Sequence, residues 1–246
     1  MVRRLIDALR LNTPSHPFRA VLIDLDGTLA DTLSEIAAAT NAMLADAGRP
    51  AVSDRDVMQA VGEGAGNLVA QFVGADRVAQ WLPVYLAHYR RLNGSSATLY
   101  PNATAGLDAM RDAGLRIACV TNKPRELVGP LFERLGIAAY FDCLVGGGDT
   151  VDKKPLPAPL LLACERLGVA PADCVMIGDS RNDALAASAA GVLSLTVPYG
   201  YPGSGGAADS AAGLLERGVT CAIVPDLLAA AQWIAQCVVA AHRSAS

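Results

Sequence analysis

Residues 18–28 read Phe-Arg-Ala-Val-Leu-Ile-Asp-Leu-Asp-Gly-Thr, and this stretch decides the fold. Apart from Arg19 and Asp24, residues 18–25 are apolar, so both faces of the segment favour burial. A short run that is apolar on both faces is typical of a strand in a parallel sheet that is covered on both sides. The run ends in two carboxylates, Asp24 and Asp26, which are costly to bury without a cation. We therefore expect a buried strand that brings two acidic side chains to the edge of a parallel sheet.

Polar residues follow two further strands of the same kind. Residues 115–120 are followed by Thr121 and Asn122, and residues 174–177 are followed, after one glycine, by Asp179. The alternating pattern is completed by candidate strands at 143–145, 191–197 and 221–224 and by candidate helices at 105–113, 160–167 and 184–190. Strands that alternate with helices predict an α/β fold, a doubly wound (Rossmann-like) parallel sheet with right-handed crossovers. In such sheets the ligand crevice lies at the carboxyl ends of the strands, where these polar residues meet.

Helical periodicity dominates residues 31–98, and no strand-like run interrupts it. An insertion directly after the first strand is well placed to cover the carboxyl edge of the sheet, so we expect a helical cap domain at 31–98. The core domain then comprises residues 18–30 and 99–246. It is preceded by an N-terminal extension, residues 1–17, whose pattern allows a short amphipathic helix. A stretch rich in Gly, Ala and Ser, residues 199–212, is expected to be a surface loop.

Four carboxylates are expected to converge at the edge of the sheet. Asp24 and Asp26 follow the first strand, and Asp179 and Asp183 follow a later one. Such a cluster of oxygen ligands calls for a hard divalent cation, and Mg²⁺ fits. With a cation present, one carboxylate can attack phosphorus and form an aspartyl phosphate, which makes Asp24 the candidate nucleophile. Asp26 can protonate the leaving alcohol and later take a proton from the attacking water.

Donors to the oxygens of a transferring phosphoryl group are also present. Gly27 permits close approach of the main chain, and Thr28 adds a hydroxyl. Thr121 and Asn122 supply a hydroxyl, an amide and main-chain N–H groups at an expected helix start. Lys154, which two prolines follow closely, offers a cation in a restrained loop. Phosphoryl transfer depends on positioning and on charge neutralisation, and these residues suit both.

These segments stand in the order of the four motifs of haloacid dehalogenase-superfamily phosphatases, which the chain resembles over about residues 18–240. The motifs are Asp-Leu-Asp-Gly-Thr at 24–28, Thr121, Lys154 and Gly-Asp-Ser-Arg-Asn-Asp at 178–183. Each motif is short, and the ordered set is what makes the resemblance specific.

The resemblance implies a role for each motif residue. Asp24 is implied as the nucleophile and Asp26 as the acid and base, with Thr121 and Lys154 as further catalytic residues. The implied ligands of Mg²⁺ are Asp24, the main-chain carbonyl of Asp26, and Asp179, with Asp183 as an indirect partner.

A closer resemblance is to phosphoglycolate phosphatases. It rests on Val-Gly-Glu-Gly at 61–64, Leu-Tyr-Pro at 99–101, Thr-Asn-Lys-Pro at 121–124 and Tyr-Gly-Tyr at 199–201. In the cap, Gly62 and Gly64 would let main-chain N–H groups approach a small carboxylate. The resemblance implies hydrolysis of 2-phosphoglycolate to glycolate and phosphate.

Other reactions of the same nucleophile differ in the residues that they need. A haloacid dehalogenase needs no acid or base two residues after the nucleophile, so Asp26 favours phosphate esters. A phosphonatase-like enzyme needs a lysine in the cap, and residues 31–98 contain none. Three alternatives stay open: a sugar-phosphate mutase, a phosphatase of another small metabolite such as N-acetylmuramate 6-phosphate, and a non-catalytic binding module of the same fold.

Composition and charge restrict the possible partners. The 246 residues are 52% hydrophobic and 18% charged, with a net charge of -4. Lys and Arg form no basic patch, which argues against binding of nucleic acid. The sequence also lacks an uncharged apolar run of about eighteen residues, so we expect no membrane span. Six cysteines without a C-x-x-C pair favour reduced thiols and a cytoplasmic location. We expect a monomer or homodimer whose partner is a small phosphate ester.

Overall fold

A parallel sheet forms the centre of the fold. The computed structural model describes residues 18–201 and 209–244. Its strands, numbered along the chain, are β1 Ala20–Ile23, β2 Ala30–Asp31, β3 Thr98–Leu99, β4 Arg116–Pro124, β5 Cys143–Gly147, β6 Cys174–Gly178, β7 Leu193–Thr196 and β8 Ala222–Ile223. Six of these strands make one sheet in the order β5-β4-β1-β6-β7-β8, and every neighbouring pair is parallel.

Both faces of this sheet are buried, which explains the apolar character of its central strands. Successive side chains of a strand point to opposite faces. Val21 and Ile23 of β1 accordingly belong to one hydrophobic cluster, and Ala20 and Leu22 belong to another. All four side chains are fully buried. Two apolar layers therefore hold the sheet between helices on either side.

Ten α-helices occur in the described ranges: α1 Leu33–Asp46, α2 Asp54–Ala60, α3 Ala65–Val73, α4 Val78–Leu92, α5 Ala103–Asp112, α6 Arg125–Leu135, α7 Ala158–Leu167, α8 Arg181–Ala190, α9 Ala211–Glu216 and α10 Leu227–Ser244. Helices α2 and α8 each begin with a capping box, a serine and an aspartate three residues later that satisfy free main-chain N–H groups. Helices α6, α7 and α8 end at left-handed glycines, where other residues would be strained.

Helices α1 to α4 form a packing unit of their own, here called the helical insert (residues 33–92). Their buried side chains make a third hydrophobic cluster, which includes Met43, Trp81 and Tyr85. The apolar periodicity of this region thus serves a core separate from the two layers of the sheet. The insert follows β1 after the short strand β2, at the carboxyl end of β1.

The chain enters and leaves the insert at one place. Strands β2 and β3 pair there in antiparallel fashion, with Ala30 opposite Leu99. Glu35, in the first turn of α1, links the segment that enters the insert to the segment that leaves it. Its Oε1 accepts hydrogen bonds from the N–H groups of Ser96 and Ala97 at 2.9 and 3.1 Å. The two connecting segments are therefore tied to each other as well as to the sheet.

The predicted α/β doubly wound sheet is confirmed, and its six strands lie where the sequence pattern placed them. A first local prediction is wrong. Strand β4 continues through Thr121 and Asn122, and α6 begins only at Arg125, so those two residues do not stand at a helix start. The continued pairing of β4 with β5, where Pro124 is opposite Gly147, keeps this segment extended.

The expected surface loop at residues 199–212 is also wrong in part. Tyr201 is buried, with 6% of its surface exposed, and α9 already begins at Ala211. The helix expected within residues 1–17 lies outside the described residues. Among the helices of the described ranges, none combines the length and the apolar character needed to cross a membrane.

Candidate active site

The carboxyl ends of β1, β4 and β6 form one side of a pocket, and the helical insert forms the other. Asp24 follows β1 and Asp179 follows β6, and both line the pocket. The insert contributes Tyr85 and Tyr89 of α4 and the loop 61–64 between α2 and α3. Strand order reverses at β1, so the pocket occupies the crevice where doubly wound sheets bind ligands.

Three buried carboxylates meet at this edge. Oxygen atoms of Asp24, Asp179 and Asp183 all lie within 4.8 Å of one another. Lys154 Nζ donates hydrogen bonds to Asp24 Oδ1 at 2.7 Å and to Asp183 Oδ1 at 2.6 Å. Its third bond goes to the carbonyl of Val120 at 2.6 Å, which anchors the ammonium to the end of β4. The predicted nucleophile thus stands in contact with the predicted catalytic lysine.

The electrostatics of this cluster favour a cation. Burial raises the pKa of Asp24 to about 7, although the Lys154 ammonium opposes the shift. Burial also raises the pKa of Asp179 well above its usual value, and the charges of Asp183 and Asp24 add to the effect. Burial alone would lower the pKa of Lys154, but the two carboxylates beside it raise it. One ammonium does not neutralise three acidic groups, and a hard divalent ion such as Mg²⁺ fits this set of oxygen donors.

Asp179 is held by groups from two neighbouring loops. Thr28 Oγ1 donates to its Oδ1 at 2.9 Å, and the N–H of Tyr201 donates to its Oδ2 at 2.6 Å. A Cβ built on Gly27 would lie 2.4 Å from Asp179 Oδ2, and one built on Gly200 only 2.1 Å from it. Gly27 therefore makes room for this carboxylate, a requirement that the motif alone did not reveal.

The Asp26 side chain has partners outside the acidic cluster. Its Oδ1 accepts hydrogen bonds from Thr32 Oγ1 at 2.7 Å and from Lys123 Nζ at 3.0 Å. Lys123 Nζ also bonds to the hydroxyl of Tyr89 and lies 4.4 Å from the centre of its ring. The sequence reasoning assigned Lys123 no role, although it directly follows the predicted pair of phosphate donors. Its buried position beside Asp26 depends on α4 of the insert and is therefore a tertiary feature.

Asn122 connects segments that are distant along the chain. Its Nδ2 donates to the carbonyls of Lys154 and Gly62, both at 2.8 Å, and its Oδ1 accepts from the Lys154 N–H at 3.0 Å. The Gly62 carbonyl also accepts from Asn182 Nδ2 at 3.2 Å. Gly62 and Gly64 have φ values of 117° and 85°, which other residues rarely adopt. The side-chain amide of Asn122 is thus already bonded to main-chain partners. Contacts of Asn122, Gly62 and Gly64 with a substrate stay a prediction.

Asp183 belongs to the acidic cluster itself, although the family resemblance implies only an indirect part for it. Besides its bond from Lys154, its Oδ2 accepts from the Ser180 hydroxyl at 2.6 Å and from the Ser180 N–H at 3.2 Å. Thr121 lines the same pocket, and its hydroxyl accepts the N–H of Lys123 at 3.1 Å. Each of the four predicted motifs therefore contributes to one pocket.

Known proteins share this sequence and fold. A family model described as haloacid dehalogenase-like hydrolase matches residues 18–191. A plasmid-encoded phosphoglycolate phosphatase of Cupriavidus necator is 43% identical over 202 residues, which cover 80% of this chain and 87% of that protein. A phosphoglycolate phosphatase of Nitrosospira multiformis is 39% identical over 193 residues, 75% of this chain and 85% of that one. The crystal structure of a predicted phosphoglycolate phosphatase from Haemophilus somnus is similar at a TM-score of 0.77 and 28% identity, over 88% of this chain and 97% of that chain.

Proposed function

We propose a substrate and a mechanism from the premise that this chain belongs to the haloacid dehalogenase-like hydrolase family and is a phosphatase. The proposed reaction is the Mg²⁺-dependent hydrolysis of 2-phosphoglycolate to glycolate and phosphate. Two relatives, 43% and 39% identical over their aligned residues, are phosphoglycolate phosphatases, which supports this substrate. The observation that carries the proposal is the position of Asp24, at the sheet edge within a cluster of buried acidic side chains.

The proposed ligands of Mg²⁺ are the carboxylates of Asp24 and Asp179 and the main-chain carbonyl of Asp26, with Asp183 beside them. All of these donors are hard oxygen atoms, which is the chemistry that Mg²⁺ prefers. Burial, together with the neighbouring carboxylates, raises the pKa values of Asp24 and Asp179, so a cation beside them would favour their ionised forms. Mg²⁺ held by these residues would offset the charge of the carboxylates and would favour the charge that develops on the phosphoryl group.

Asp24 is the proposed nucleophile, and Asp26 the proposed acid and base. A carboxylate oxygen of Asp24 attacks phosphorus, the bond to the glycolate oxygen breaks, and an aspartyl phosphate forms. Asp26 gives its proton to the departing glycolate oxygen, then takes a proton from the water that attacks the phosphorus and frees Asp24. Lys154 orients Asp24 through its 2.7 Å hydrogen bond. The hydroxyls of Thr28 and Thr121 are proposed to contact the phosphoryl oxygens.

The proposed division of the chain is a core domain, residues 18–30 and 99–246, and a cap domain, residues 31–98. The separate hydrophobic cluster of the helical insert supports this division, and so does its contribution to the pocket. A cap over the sheet edge excludes bulk water from the aspartyl phosphate. Gly62 and Gly64, whose loop reaches the pocket, are proposed to contact the carboxylate of the substrate through their main chain.

The proposed location is the cytoplasm. All six cysteines lie in the described ranges as free thiols, even though Cys164 Sγ and Cys174 Sγ are only 3.6 Å apart. Thiols persist in this state where the surroundings are reducing. The proposed assembly is a monomer or a homodimer that acts on a small phosphate ester.

Phosphate release from a panel of esters tests the substrate and the metal. We expect 2-phosphoglycolate to give the highest kcat/KM, above N-acetylmuramate 6-phosphate and simple sugar phosphates. Removal of divalent ions with EDTA should abolish turnover, and added Mg²⁺ should restore it. A higher kcat/KM for another ester would overturn the proposed substrate, and turnover that survives EDTA would overturn the proposed cofactor.

The nucleophile has a test of its own. Asp24→Asn should lower turnover by at least roughly a thousandfold, because an amide cannot form the aspartyl phosphate. In EDTA below pH 7, where Asp24 is mostly protonated, its melting temperature should stay close to that of the wild type, since the amide and the protonated acid have nearly the same shape and no charge. Asp112→Asn, which changes an exposed carboxylate at the end of α5, is the matched control and should keep full activity. Asp24→Asn activity within tenfold of wild type would contradict the mechanism.

A further inference from the structure

The polar contacts of Tyr201 are left unexplained by the proposed reaction. Its N–H donates to Asp179 Oδ2 at 2.6 Å, and its hydroxyl donates to Asp31 Oδ1 at 2.9 Å. The same hydroxyl accepts the main-chain N–H of Thr32 at 2.8 Å. This residue therefore joins the acidic cluster to the point where the chain enters the helical insert.

Thr32 extends this connection to Asp26. Its side chain is fully buried, and its Oγ1 donates to Asp26 Oδ1 at 2.7 Å. A β-branched side chain is stiff at its first torsion, so the hydroxyl follows the main chain that Tyr201 holds. The second partner of Asp26 Oδ1 is Lys123 Nζ, which belongs to β4 and is buried against Tyr89. Of these two donors, Thr32 is the one whose main chain is bonded to Tyr201.

We propose that Tyr201 is a positioning residue for Asp26, which it orients through Thr32, and that it aligns this acid with Asp179. The inference rests on the proposed function, because it takes Asp26 as the acid of the reaction. The Tyr201 hydroxyl fixes the main chain of Thr32, the Thr32 hydroxyl fixes the Asp26 carboxylate, and the Tyr201 N–H fixes Asp179. A small displacement of Asp26 slows proton transfer to the ester oxygen and leaves the attack by Asp24 unaffected.

A comparison of two substrates distinguishes a positioning role of Tyr201 from a purely structural one. Glycolate leaves 2-phosphoglycolate as an alkoxide that needs a proton, whereas acetate leaves acetyl phosphate as a stable carboxylate that needs none. The comparison uses kcat/KM, because this constant covers the steps up to phosphoryl transfer to Asp24 and excludes the later action of Asp26 as a base.

The variant Tyr201→Phe removes only the hydroxyl. We expect kcat/KM for 2-phosphoglycolate to fall by roughly 10- to 100-fold and kcat/KM for acetyl phosphate by less than about twofold. The Mg²⁺ concentration that gives half-maximal activity should not change, because the N–H that bonds to Asp179 is retained. An equal loss with both substrates would show that Tyr201 only stabilises the fold, and no loss with either would show that its hydroxyl is dispensable. Each of these two results overturns the inference.

A double-mutant cycle tests the route through Thr32. Thr32→Val removes the hydroxyl that bonds to Asp26 and keeps the N–H that bonds to Tyr201. We expect the same selective loss with 2-phosphoglycolate, and the double variant should lose no more than the worse single variant, because the two residues act in series. Losses that multiply would show that Tyr201 reaches the reaction by another route, against the inference.

Two controls complete the experiment. Tyr140→Phe also removes a hydroxyl that donates to a carboxylate, Asp108 Oδ1 at 2.7 Å on the protein surface, and should match the wild type with both substrates. Asp26→Asn should lose far more activity with 2-phosphoglycolate than with acetyl phosphate. Equal losses there would overturn the proposed role of Asp26 and this inference with it. If Asp26→Asn distinguishes the substrates and Tyr201→Phe does not, the inference alone is overturned.

Discussion

At the scale of single residues, Lys154 determines the charge balance of the pocket. Its ammonium bonds to Asp24 and Asp183 at 2.7 and 2.6 Å, and only 3% of the residue is exposed. A buried ion pair contributes little net stability, but removal of one partner leaves the other charge uncompensated in a medium of low polarity. Because two carboxylates depend on this one cation, its loss affects the folded state more than the loss of a surface lysine.

The variant Lys154→Met tests this dependence. We expect the free energy of unfolding in EDTA to fall by about 3–5 kcal/mol, because Asp24 and Asp183 lose their cation. Mg²⁺ should raise the melting temperature of this variant more than that of the wild type, since the site has become more negative. Chemical denaturation with and without Mg²⁺ measures both effects. Lys153→Met, at the neighbouring and partly exposed lysine, is the control, and equal losses for the two variants would contradict the prediction.

At the scale of elements, helix α5 packs unusually close to α10. Gly106 faces the start of α10, where a Cβ added to it would lie 2.6 Å from the carbonyl carbon of Leu227 and 2.7 Å from its Cβ. Glycine in a helix interior costs about 1 kcal/mol relative to alanine, so a packing reason is needed for it. The close approach supplies that reason and seats both helices on one face of the sheet, where Leu107 and Leu227 are fully buried.

The variant Gly106→Ala should therefore be destabilising. We expect a loss of about 1–3 kcal/mol in the free energy of unfolding, because the added methyl group meets main-chain atoms that cannot move aside easily. Gly66→Ala is the matched control, since Gly66 also lies within a helix, α3, and a Cβ there would meet nothing within 4 Å. This control should gain up to about 1 kcal/mol. Urea denaturation gives both values, and changes of the same sign would contradict the packing argument.

At the scale of the whole molecule, the folded chain holds protons that the unfolded chain releases. Burial raises the pKa of Asp24 to about 7 from the ordinary value of 3.8, and it raises the pKa of Asp179 as well. Between these values the folded protein binds more protons than the unfolded protein. Without metal, the two groups therefore contribute stability at low pH, and the contribution of Asp24 is lost as the pH rises through about 7.

A pH series of melting temperatures tests this linkage. In EDTA, the melting temperature should rise as the pH is lowered from about 8 to about 5. Over this range each such group adds up to ~1.4 kcal/mol per pH unit to the free energy of unfolding. Mg²⁺ should stabilise the protein more at the upper end of the range, where no proton competes for the carboxylates. Asp24→Asn should flatten the EDTA profile. A melting temperature in EDTA that rises with pH over this range would contradict the prediction.

The sheet and its acidic edge could be read from the sequence because both depend on local patterns. Apolar runs of strand length, alternating with helical stretches, leave a covered parallel sheet as the simplest way to bury them. The residues at the ends of those runs, Asp24, Thr121 and Asp179, must then meet at one edge. The same reasoning failed for Thr121 and Asn122 as helix-start residues, because pairing with β5 extends β4 beyond its apolar run.

Only the tertiary structure decided how the acidic residues are held. Tyr201 bonds to Thr32, 169 residues away along the chain, and Lys123 is buried against Tyr89 of the helical insert. Neither contact leaves a periodic signal, because each depends on how the insert sits on the sheet. The many small and polar residues of segment 199–212, which includes Tyr201, even favoured a surface loop there. Local composition indicates which secondary structure a segment can form. Partners from distant segments determine which of its side chains are buried and which atoms they bond to.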